Sequence, residues 1–92
     1  MRIARRLVIR GRVQGVWYRG WMVDRAMERD LDGWVRNRAD GTVEAIVAGE
    51  ADDVDELICL CQRGPRAARV DAVDVAESED PGSTGFDQRP TV

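Results

Sequence analysis

Between Ile3 and Val13 the chain alternates. Ile3, Leu7, Ile9 and Val13 are apolar, and Arg6, Arg10 and Arg12 between them are charged. A period of two sends the two sets to opposite faces of a strand, so this segment is a strand with one buried side. The period then changes. Beyond a loop at Gly15, Met22, Val23, Ala26 and Met27 fall on one helical face, with Asp24, Arg25, Glu28 and Arg29 opposite. The helix is expected to stop at Asp30, because aspartate tolerates the left-handed conformation that closes many helices.

The next stretch, "GWVRNRADGTVEAIVAG", reads as a hairpin around Asp40-Gly41. A two-residue turn would pair Arg38 with Val43 and put Val35 on the wrong face. A three-residue turn, Ala39-Asp40-Gly41 with the glycine in a bulge, pairs Asn37 with Val43 and Val35 with Ala45. It also sets Arg36 opposite Glu44, a favourable cross-strand pair. This register gives one consistent buried face and places the Asn37 side chain on it. A second helix follows, with Asp52 and Asp53 near its N-terminus and Val54, Leu57, Ile58 and Cys61 at helical spacing; Gly64-Pro65 stops it. A fourth strand is expected over about 70–77. "DPGSTG" is a turn-rich connection, and 86–92 adds a short strand that Pro90 confines to an edge.

Strand, helix, strand, strand, helix, strand with right-handed crossovers is the split βαβ arrangement. The fold class is therefore α+β: a ferredoxin-like βαββαβ sandwich, with an antiparallel sheet of four to five strands and both helices on one face. In the strand order 4-1-3-2, the C-terminal ends of strands 1 and 2 share one edge. The loop from Gln14 to Arg19 and Asn37 then face the same cleft.

Ninety-two residues with 43% hydrophobic content suit one domain spanning 1–92. No window approaches a membrane span, and the N-terminus lacks the pattern of a signal peptide, so a cytoplasmic monomer is expected. Cys59 and Cys61 are read as ordinary thiols, with Cys61 in the core; two apart on a helix, they point to different sides. All 14 basic residues are arginine and there is no histidine. That removes Ser–His and Cys–His nucleophiles and any catalytic lysine. Two cysteines are too few for a structural zinc site and the acids lack calcium-loop spacing, so neither metal nor cofactor is expected.

The net charge of −3 is unevenly spread: residues 1–20 carry six arginines and no acid, whereas 71–92 carries six acids and only Arg89. A basic end is one signal of nucleic-acid binding. Here the alternation of arginine with apolar residues favours a strand surface neutralised by the acidic fourth strand beside it. The first strand also lacks the exposed aromatics on which an RNA-binding sheet stacks bases. No nucleic-acid partner and no membrane partner is expected.

The segment "GRVQGVWYRGW" joins glycines and arginine where a helix begins. A helix start leaves backbone N–H groups without partners and favours negative charge. Glycine permits close approach, and an arginine fork fits a phosphate. "IRGRVQGVWYR" and "GWVRNRADGTVEAIVAG" together resemble the two signature motifs of the acylphosphatases, small enzymes that hydrolyse carboxyl–phosphate anhydrides. Gly11, Val13, Gln14, Gly15, Val16 and Arg19 match the first motif. Gly33, Trp34, Val35, Arg36, Asn37, Gly41, Val43 and Gly49 match the second. Similarity continues through Gly64-Pro65 and "FDQRPT". The resemblance implies that Arg19 is the phosphate-binding catalytic arginine and Asn37 positions the attacking water. Gln14, Gly15, Val16, Trp17, Tyr18 and Arg19 would form the phosphate-binding loop. The substrate would be a small acyl phosphate and inorganic phosphate a product. Trp17 departs from a position often filled by glycine; if that position needs positive φ, the tryptophan is strained. The rival reading is a non-catalytic anion-binding module of the same fold.

Overall fold

The computed structural model describes residues 1–92. The periodicities are realised as β1 (Arg2–Arg12), α1 (Tyr18–Met27), β2 (Asp32–Asn37), β3 (Val43–Glu50), α2 (Ala51–Cys61), β4 (Arg69–Glu77) and β5 (Phe86–Gln88). The strands form one sheet in the order β4-β1-β3-β2-β5. Leu7, Ile9, Val35, Val43, Ala45 and Val47 project from its covered face. They pack with Met22 and Ala26 of α1 and Val54, Leu57 and Cys61 of α2. Each fully buried aliphatic side chain contributes about 1.5–3 kcal/mol by leaving water. α1 lies over β2 and β5, and α2 over β1 and β3.

The hairpin takes the three-residue-turn register. Asn37 pairs with Val43, Arg36 with Glu44 and Val35 with Ala45. α1 ends at Met27, short of Asp30, but Asp30 takes φ 53° and the Leu31 amide reaches back to the Ala26 carbonyl at 3.0 Å. The left-handed aspartate thus closes the helix as its chemistry requires.

Two expectations need correction. The sheet is mixed rather than antiparallel throughout, because β5 runs parallel to β2. β4 ends on the edge of the sheet where β2 begins, and residues 78–85 cross beneath the sheet to enter β5 from there. Arg2 ties this crossing to Asp80 at 2.6 Å and to Asp32 at 3.0 Å, and the Gly85 amide bonds Asp32 at 2.8 Å. The arginines of β1 are also not all neutralised by β4. Arg10 pairs with Asp74 of β4, but Arg6 pairs with Glu44 of β3, and Arg12 stands opposite Arg69 with no ion pair. On the face away from the helices, Val8 stands between Arg6 and Arg10 and opposite Glu44, yet it is buried. Long arginine stems cover such a side chain while their heads stay in water.

Candidate active site

The covered face ends, at the C-terminal ends of β1, β2 and β5, in a pocket of about 100 Å³. Val13, Gly15, Trp17, Tyr18, Arg19, Gly20, Asn37 and Gln88 line it. Its floor is the loop entering α1. Gly15 has φ 73° and Trp17 φ 66°, so two left-handed residues turn the intervening amides towards one side. Such alternation makes an anion-binding concavity. The first helical bond runs from the Trp21 amide to the Trp17 carbonyl, at 3.0 Å. The amides of Gly15 to Arg19 precede it and donate to no backbone carbonyl. Holding a tryptophan in the left-handed conformation costs about 1–2 kcal/mol relative to glycine. The strain foreseen for a positive φ at this position is therefore present.

Arg19 is half-buried and makes no ion pair or hydrogen bond within the protein. Neighbouring arginines behave differently: Arg25 of α1 engages Glu28, and Arg29, just beyond the helix, engages Glu56. The Arg19 fork is left free at the pocket. Asn37, the last residue of β2, enters from the other wall. Its Oδ1 is the buried side-chain polar atom without a hydrogen-bond partner. A buried acceptor without a partner costs about 1–3 kcal/mol, so a chain tolerates one where function uses it. The Asn37 carbonyl accepts the Val92 amide at 3.2 Å, which anchors the strand end.

Of the six loop residues expected to hold phosphate, Gly15, Trp17, Tyr18 and Arg19 line the pocket. Gln14 is turned away. Its Nε2 donates to the carbonyls of Arg38 and Thr42 at 2.8 and 2.9 Å, tying the loop to the hairpin that carries Asn37. Val16 packs against the core. The Tyr18 ring is buried and its hydroxyl donates to the Cys61 carbonyl; burial pushes the phenol well above its ordinary range. The Tyr18 hydroxyl is therefore committed to the core. Burial likewise pushes the Cys61 thiol up to about 12. Sequence reasoning missed Gln88 and Gly20. Gln88 reaches the pocket because β5 lies beside β2, and the residues "FDQRPT" carry no chemical signal of it.

The family model described as acylphosphatase matches residues 5–88. An acylphosphatase of Rhizorhabdus wittichii is 57% identical over 91 residues, covering 99% of this chain and 92% of that protein. One from Acidiphilium cryptum is 54% identical, covering 97% and 98%. The chain belongs to the acylphosphatase family. A solved acylphosphatase of Coxiella burnetii superposes with a TM-score of 0.92 at 32% identity, covering 96% of this chain and 93% of that one. This acylphosphatase is accordingly a hydrolase acting on acid anhydrides.

A larger hollow of about 330 Å³ lies elsewhere on the acylphosphatase, between Met27, Leu31 and Thr84. Among its polar groups, Asp32 is already engaged by Arg2 and the Gly85 amide. No group of three or more His, Cys, Asp or Glu side chains is placed to hold a metal ion. No helix is long and apolar enough to cross a membrane. Asp40, in the hairpin turn, is exposed. The Thr42 hydroxyl and amide bond its carboxyl at 2.7 and 3.0 Å and hold it below the usual carboxylate range.

Proposed function

We propose that this pocket hydrolyses the carboxyl–phosphate anhydride of small acyl phosphates, releasing a carboxylate and inorganic phosphate. The amides of Gly15 to Arg19 and the Arg19 guanidinium bind the phosphoryl group, and Asn37 positions the water. The observation that carries this reading is the buried, unpartnered Asn37 Oδ1 in the same pocket as the unpaired Arg19. Oδ1 accepts a hydrogen bond from the water and directs the water's lone pair at phosphorus, and the water's proton passes to a phosphoryl oxygen as the P–O bond forms. The arginine fork and loop dipoles stabilise charge on the equatorial oxygens as the P–O bond to the acyl group lengthens. Phosphoryl transfer of this kind passes through a loose transition state that needs positioning more than proton transfer. A carboxylate leaves readily, so the absence of histidine is no handicap. The 92 residues act as one domain, as a monomer in the cytoplasm, with neither metal nor organic cofactor.

Arg19→Ala tests the assignment. It should nearly abolish turnover of acetyl phosphate and competition by inorganic phosphate while the circular dichroism spectrum stays unchanged. Arg19→Lys should restore little, because an ammonium lacks the planar fork. Near-normal turnover by the alanine variant would rule out this role for Arg19.

A further inference from the structure

The reaction makes no use of the Trp17 side chain, yet the chain breaks two local rules to carry it. Its backbone is left-handed, a conformation that disfavours a bulky residue, and the residue is 63% exposed. The indole stands directly over Gly20: a Cβ on Gly20 would lie 2.2 Å from Nε1 and 2.8 Å from Cδ1. Gly20 lies inside α1 and does not take a positive φ, so the backbone there does not require glycine. Glycine is a poor helix former, and the close approach of the indole is what this position accommodates. Local rules broken together at a pocket rim point to function.

The lining of the pocket supplies the rest. With the phosphoryl group on the loop amides and Arg19, the acyl group extends along the remaining lining. That lining offers the amide of Gln88, the bare backbone of Gly15 and Trp17 with its exposed indole. Val13 and Tyr18 are buried.

We propose that the Trp17 indole, seated on Gly20, is the wall against which the acyl group of the substrate packs, so that the enzyme prefers acyl phosphates with a flat or extended apolar acyl part. The proposal rests on the reading of this pocket as an acyl phosphate site. Aromatic packing of this kind is selective for the acyl group, since the phosphoryl contacts are common to every substrate.

The test measures kcat/KM for benzoyl phosphate and for acetyl phosphate in the unmodified protein and in Trp17→Gly, Trp17→Phe and Gly20→Ala. The ratio of benzoyl to acetyl should fall roughly three- to tenfold in Trp17→Gly and stay near the original in Trp17→Phe. Gly20→Ala should also lower it, by displacing an indole that is still present. Both folds are expected to persist, since glycine accepts φ 66° and alanine suits a helix. A ratio unchanged in either Trp17→Gly or Gly20→Ala overturns the proposal, as does an equal loss for both substrates. Failure of the unmodified protein to hydrolyse either substrate overturns the acyl phosphate reading itself. Turnover of both with an unaltered ratio overturns only the role of the indole.

Discussion

Asn37→Ala should cost activity and leave stability nearly unchanged. In the native pocket Oδ1 has no hydrogen-bond partner within the protein, and the pocket is open to the water this oxygen is proposed to hold. Truncation removes no side-chain bond to the protein, and asparagine and alanine are both poor strand formers. A change below about 1 kcal/mol moves the Tm of a domain of this size by less than about 4–8 °C. Against this, loss of a group aimed at the attacking water should lower kcat by about 10²–10³ with little change in KM. Acetyl phosphate turnover under saturating substrate and thermal unfolding by circular dichroism measure the two effects on one sample. A variant that is inactive because it is less stable would make Asn37 part of the scaffold. A raised KM with unchanged kcat would make it a substrate-binding residue, and the water-positioning argument would be wrong.

Glu44→Gln tests the paired surface of the sheet. Burial alone would raise the Glu44 carboxyl, but Arg36 and Arg6, at 2.8 and 2.7 Å, outweigh it and hold the carboxyl below its usual range. Hydrogen bonds to charged groups make the loss about 2 kcal/mol at neutral pH, a fall in Tm of roughly 10 °C. A depressed carboxyl contributes stability above its unfolded pKa, about 4.3, which disappears as pH falls through the lower folded value. The gap between variant and wild type should therefore narrow in acid, and a gap constant down to low pH would refute the ion-pair account. Asp40→Asn should keep most activity, since an exposed carboxylate held low by Thr42 is no base at neutrality; an inactive variant would place Asp40 in the reaction. Turnover should survive excess EDTA, and kcat should show no protein group titrating near neutrality. Loss on chelation with recovery on added Mg²⁺ would overturn the metal-free mechanism.

Much of the architecture was legible because it is encoded at short range. Alternation in β1, helical spacing in α1 and α2, and the turn residues around Asp40-Gly41 set the elements, the hairpin register and the Arg36–Glu44 pair. Each depends on residues within a few positions or directly across one turn, where the period of the side chains leaves a single consistent buried face. The positions of Arg19 at a helix start and Asn37 at a strand end followed from the same patterns. What was not legible depends on how distant segments meet. β5 is parallel to β2 because a connection crosses beneath the sheet, and that crossing brings Gln88 to the pocket. Gln14 turns to the hairpin because the carbonyls of Arg38 and Thr42 arrive beside it from far along the chain. The bulge between Arg10 and Gly11 shifts the register and sets Arg12 against Arg69 rather than Val70. The left-handed Trp17, its seat on Gly20 and the unpartnered oxygen of Asn37 likewise exist only where loop, helix and strand converge. Periodicity decides which face a side chain occupies; only the packed chain decides what it finds there.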